Sequence, residues 1–116
     1  MSKGLLWAVL VSCTLLSSAY AQTTPGDAVN GERVYMSVGC YQCHGTVGQG
    51  SRPTGPHIAP NPMPYEAFAA LIRHPPNVMP PYTVAVLSDH DLGDIYAYLL
   101  TIPPLPDPQA AAILDH

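Results

Sequence analysis

The stretch "VGCYQCHG", residues 38–45, holds two of the chain's three cysteines, with His44 directly after the second. A Cys-x-x-Cys pair serves three chemistries: half of a zinc site, a redox-active dithiol, or a pair of covalent anchors. The rest of the chain has to supply different things for each, so the reading works outward from these eight residues.

The chain has 116 residues, one domain at most. Its opening, "MSKGLLWAVLVSCTLLSSAYAQ", places Lys3 before an apolar run from Leu5 to about Leu16 and then Ala19-Tyr20-Ala21. That layout predicts a secretory signal peptide over 1–21, cleaved after Ala21. The run is short of the roughly 20 residues that span a bilayer. A membrane association would need the segment to stay uncleaved, or Cys13 in the lipobox-like Leu10-Val11-Ser12-Cys13 to be lipidated. The apolar run continues past Cys13, and this favours a plain signal core.

Beyond Ala21 the chain carries three arginines, Arg33, Arg52 and Arg73, against eight carboxylates, a net charge of −5 with no lysine. Such a surface argues against nucleic acid or an anionic membrane face as partner. Fourteen prolines, all beyond residue 24, limit long regular elements. A domain this small and proline-rich buries little apolar surface alone and needs a staple. Cys40 and Cys43 are the cysteines left to provide it.

Three helices are expected. The first runs over about Asp27–Val38, with Asp27 as N-cap, an apolar stripe of Val34, Tyr35 and Val38, and Gly39 as the stop. The second covers about Tyr65–His74, started by Pro64 and ended by Pro75-Pro76, with Phe68, Leu71 and Ile72 inward. The third opens at Ser88 with Asp91 three residues on, a capping-box variant, and closes at Pro103-Pro104. Leu92, Ile95, Tyr96 and Leu99 follow at helical spacing, and Asp89, Asp91 and Asp94 suit the positive end of the helix. Proline-rich loops join these helices, and residues 105–116 read as a mobile tail.

Zinc would want two more ligands at regular spacing, yet there is no second pair and His57, His74, His90 and His116 are scattered. A thioredoxin-like dithiol needs a thiol at a helix start within a βαβ frame. No alternating strand is evident, and Cys40 falls at a helix end, whose negative pole raises a thiol pKa. The third chemistry uses the histidine: Cys-x-x-Cys-His is the attachment motif of c-type haem. Two thioether bonds tie the sulfurs to the porphyrin, and the turn they enforce delivers the following histidine to the iron. Export fits, because a free pair in an oxidising compartment closes into a disulfide unless captured.

The run "GERVYMSVGCYQCHGTVGQG" resembles the start of a class I c-type cytochrome, with Gly31 and Tyr35 on the family's Gly-x-x-x-aromatic pattern. The resemblance continues through "TGPHIAP" and "NVMPPYTVAVLSDHDLGDIYAYL" and covers about Gly26 to Pro104. It implies an all-α cytochrome c fold, about three helices plus proline-rich loops around one covalently bound haem c, over residues 22–104. By it, Cys40 and Cys43 anchor the haem and His44 and Met79 ligate the iron. The Pro56 carbonyl accepts the His44 imidazole N–H, and Tyr96 packs on the Gly31–Tyr35 face.

Other methionines compete for the distal position. Met36 is too near Cys40 to cross the haem, while Met63 in "NPMP" sits in a loop and is a rival. Met79 lies 35 residues beyond His44, and Pro80-Pro81 stiffen its loop. The other histidines read as surface residues, with His57 beside Pro56 the one to test as a neighbour of a haem propionate. Arg52 and Arg73 are expected exposed, or paired with a propionate. Tyr41 and Gln42 project outward, and Tyr65, Tyr82 and Tyr98 read as core or rim aromatics.

A His/Met haem has no open iron position and carries single electrons. The expectation is therefore a periplasmic electron carrier and not an enzyme, similar to the small cytochromes that serve periplasmic dehydrogenases and pass electrons to a terminal oxidase. The alternative is a gas sensor or peroxidase-like protein with a labile sixth ligand. The lysine-free surface predicts docking with weak salt dependence.

Overall fold

The computed structural model describes residues 26–106. The signal peptide read at 1–21, Cys13, and the tail from residue 107 lie outside the described residues. Within them the chain forms four helices, α1 (Ala28–Ser37), α2 (Tyr41–His44), α3 (Tyr65–Arg73) and α4 (Asp89–Thr101), and no strand. The fold is all-α. No helix among the described residues is long and apolar enough to cross a membrane.

The expected caps set the helix ends. Asp27 Oδ1 accepts the Val29 and Asn30 N–H groups at 2.9 and 3.1 Å, satisfying two donors that the first turn of α1 leaves free. Gly39 turns the chain out of α1 at φ +86°, which glycine adopts without penalty. Ser88 Oγ accepts the Asp91 N–H at 3.0 Å and donates to Asp91 Oδ2 at 2.9 Å, so the cap of α4 is tied through the hydroxyl in place of the reciprocal backbone bond of a full capping box. α2 is the added element, a single turn between Cys40 and Gly45.

α1 and α4 cross at close range. A Cβ on Gly31 would strike the Asp94 carbonyl, and one on Gly26 would strike the backbone of Gly93. The buried Asp94, 2 % exposed, locks this joint: Oδ1 accepts the Asp27 N–H and Oδ2 the Asn30 Nδ2–H, both at 2.7 Å. Unpaired burial of a carboxylate costs several kcal/mol, on the order of the values for desolvated ions, so these bonds are what permit its position. Asp89 and Asp91 stand in the first turn of α4 as expected. Asp94 instead reaches across to the start of α1.

The core gathers Val34 and Tyr35 of α1, Phe68 and Ile72 of α3, Leu87, and Leu92, Ile95, Tyr98 and Leu99 of α4. Burying a leucine or isoleucine of this kind contributes about 1.5–3 kcal/mol. The aromatic partner of Tyr35 is Tyr98, with ring centroids 5.6 Å apart, and not Tyr96. Tyr96 turns toward α3, where it meets Tyr65 and Phe68 at 5.2 and 5.4 Å. Two residues along a helix rotate a side chain by about 200°, so the two tyrosines serve opposite flanks of α4.

Candidate functional site

α2 places Cys40, Cys43 and His44 at i, i+3 and i+4, so one helical turn puts the three side chains on one face. The turn is closed by His44 N–H to Cys40 O at 3.0 Å and Gly45 N–H to Tyr41 O at 2.9 Å. Two buried tyrosines fix the chain just beyond it. Tyr35 Oη donates to Gly45 O at 2.6 Å, and Tyr98 Oη donates to Thr46 O at 2.8 Å. Burial raises the pKa of both phenols, so they remain protonated donors.

The segment after α2 doubles back beneath His44. Gly50 N–H donates to His44 O at 2.7 Å, a turn over Ser51–Gly55 follows, and Thr54 Oγ1 donates to Cys43 O at 2.9 Å. Gly48 O then accepts from Ile58 and Ala59. The path brings Pro56 O to 2.8 Å from His44 Nδ1. A carbonyl only accepts, so Nδ1 carries the proton and Nε2 presents its lone pair. Gly50 makes this approach possible: its φ is +66°, and a Cβ there would run into Pro56 and His57 backbone.

His44 faces a cavity of about 920 Å³, near the upper end of the roughly 300–1,000 Å³ typical of small-molecule sites. Its wall includes Cys40, Cys43, Met79, Met63, Phe68 and Ile95, and among the described residues it carries a single charged side chain, Arg52. Two thiols, an imidazole with a free Nε2 and a thioether in an apolar wall suit a porphyrin iron. Hard cations favour carboxylate oxygens, and the described residues of this wall include no Asp or Glu. Burial pushes the Cys40 thiol up to about 11, opposite to the low pKa a reactive dithiol requires. The direction agrees with the sequence reading but the placement does not: Cys40 is the N-cap of α2 and not the end of α1, so desolvation, and no negative helix pole, raises its thiol.

The chain matches the family described as "Cytochrome C oxidase, cbb3-type, subunit III" over residues 26–99. It belongs to that family of class I c-type cytochromes. No curated protein and no solved structure matches it. As a c-type cytochrome the domain takes covalently bound haem and serves haem-based electron transfer, and Cys40 and Cys43 have the spacing of the attachment motif.

The remaining candidates of this cytochrome separate cleanly. Met79 is half-buried against the core and lines the cavity, Met63 lines it while 42 % exposed, and Met36 is absent from its wall. His57 and Arg52 also line it, whereas His74 and His90 do not. Arg73 departs from expectation: its guanidinium binds the carbonyls of Tyr82 and Leu87 and the carboxylate of Asp89. Tyr98, the Tyr35 hydroxyl and Thr54 were not singled out by sequence reasoning for holding α2. Tyr98 does sit on the Leu92–Ile95–Leu99 stripe, and that spacing was the available signal.

Proposed function

We propose that this chain is a periplasmic monohaem electron carrier, with Cys40 and Cys43 as thioether anchors, His44 as proximal ligand and Met79 as sixth ligand. The 2.8 Å contact between His44 Nδ1 and Pro56 O carries the reading. It holds the imidazole in the one tautomer that offers Nε2 to a metal, on the same helical turn as both thiols. Haem bound there would supply one-electron exchange between ferric and ferrous iron.

The chain's own residues then do three things. α2 and the Pro56 carbonyl orient the proximal imidazole and raise its basicity. Apolar side chains such as Phe68, Leu92 and Ile95 would exclude water, and Met79 as a ligand would leave no position for an external one. Membership of an oxidase-subunit family supports a terminal oxidase as the acceptor side, with a periplasmic dehydrogenase as the proposed donor. Docking would use the apolar, proline-rich surface around the cavity. Arg52 is the one charged residue among the described residues of its wall, so moderate salt should weaken binding little.

An absorption spectrum of the protein exported with haem-attachment machinery tests the assignment. A c-type α-band together with the weak red-edge band of an iron–methionine bond is expected. Rapid carbon monoxide binding by the reduced wild-type protein would instead favour a sensor or peroxidase-like role.

A further inference from the structure

The loop between α3 and α4 has little of its own to hold it. Residues 75–81 make no backbone–backbone hydrogen bond among the described residues, and four of the seven are proline. Val78 stands 98 % exposed. Its neighbour Met79 is nevertheless packed against the core. Something outside the loop has to set that position.

Arg73, the last residue of α3, is placed to do so. Its side chain is 16 % exposed, and Nη1 donates to Tyr82 O and to Leu87 O, each at 2.8 Å. Nη2 reaches Asp89 Oδ1 at 2.6 Å. Tyr82 is held twice more, by its N–H to Ile72 O at 3.1 Å and its hydroxyl to Val38 O at 3.0 Å. One guanidinium thus joins the end of α3, the exit of the loop and the start of α4. Tyr82 extends that tie to the end of α1, two residues before Cys40. A planar, permanently charged fork can meet three acceptors at once, whereas an ammonium is a point donor on a flexible stem.

We infer that Arg73 is a positioning residue for the sixth ligand: by fixing Tyr82 and Leu87 it keeps Met79 in the cavity and external ligands out. The inference rests on the reading of Met79 as that ligand.

The test uses exported holoprotein and four variants, Arg73→Gln, Arg73→Lys, Met79→Ala and Asp94→Asn. The red-edge band of the ferric form, carbon monoxide binding by the ferrous form and the thermal midpoint are followed. Losing these charge-assisted bonds in Arg73→Gln should weaken the band and speed carbon monoxide binding by about tenfold or more. Arg73→Lys should fall between it and wild type. Asp94→Asn loosens the α1–α4 joint and should lower the midpoint while leaving the band and the exclusion intact.

The inference is overturned if Arg73→Gln keeps both signals at wild-type level, or if Asp94→Asn changes them equally. Should Arg73→Gln yield no holoprotein, Arg73→Lys decides by the same two signals. A band that survives Met79→Ala sinks the ligand reading and the inference with it. A band lost in Met79→Ala but kept in Arg73→Gln overturns the inference alone.

Discussion

Residues 44–59, beneath His44, are stitched by backbone bonds from Gly50 to His44, across Ser51–Gly55, and from Ile58 and Ala59 to Gly48. Residues 75–81, around Met79, make none among the described residues and rely on proline and on Arg73 and Tyr82 beyond them. The proximal wall is therefore a self-supporting loop whose key contact spans 12 residues, from His44 to Pro56. The distal wall is a stiff strap fastened at its exit. A ligand on the first is fixed by local geometry, and a ligand on the second by distant side chains. The second should yield first.

The largest expected effect sets the two sides against each other directly. His44→Ala removes the residue that α2, Pro56 and the two neighbouring cysteines surround, and little folded holoprotein should accumulate on export. Met79→Ala should still give a covalently haem-bearing protein, now open to carbon monoxide. Haem staining and yield of the two exported variants would decide. Equal loss of holoprotein in both would break the asymmetry.

Gly31→Ala should come next, because it strikes the frame that supports both sides. Alanine favours a helix by about 1 kcal/mol over glycine, but its methyl would press on the Asp94 carbonyl of α4, which is backbone and cannot swing away. Overpacking of this kind costs about 3 kcal/mol, which less the helix gain leaves about 2 kcal/mol, a fall of roughly 8–16 °C in the midpoint of so small a domain. Calorimetry on the holoprotein should find that fall. An unchanged midpoint would mean the helices can slide apart cheaply.

Gly50→Ala should cost somewhat less and act on the proximal side alone. A left-handed alanine costs about 1–2 kcal/mol, and its Cβ would push Pro56 away from His44. A weaker bond to Nδ1 makes the imidazole a poorer donor to iron, which favours the ferrous form. The reduction potential should rise while carbon monoxide exclusion stays as in wild type. A potential unmoved by the substitution would show that the Pro56 contact tunes nothing.

The same contrast explains what could be read from the sequence. The three longer helices and the Asp27 and Ser88 caps depend on short-range chemistry and were legible in a few neighbouring residues. The approach of Pro56 to His44 came instead from the family resemblance, and α2 was not foreseen. Nor was the partner of Tyr35. Tyr96 and Tyr98 are both aromatic and two positions apart, and only the rotation of α4 against α1, set by Gly31 meeting Asp94, decides between them. Arg73 was unreadable for a related reason. Two of its three acceptors are backbone carbonyls 9 and 14 residues away, which leave no mark in sequence, and the third, Asp89, stands 16 residues on. Asp94 passed for a helix-end charge because its real partner is an N–H 67 residues distant.

The smallest effect belongs to Asp91, which touches neither wall. The Ser88 hydroxyl, and after it the Asn30 amide and nearby His90, hold its carboxyl below the usual carboxylate range against a smaller opposing effect of burial. A folded-state pKa below the unfolded one contributes stability that is present above about pH 4, where the unfolded carboxyl is already ionised. That contribution fades as pH falls through the folded value, because both states then bind the proton. Asp91→Asn should therefore lower the thermal midpoint slightly at neutral pH, and the gap to wild type should close below about pH 4. The red-edge band and the potential should not change, since Asp91 lies at the α1–α4 joint with Asn30 and Ser88, outside the cavity that His44 and Met79 line. A gap that widened in acid would reverse the sign of this linkage and show that Asp91 is held by something other than its capping contacts.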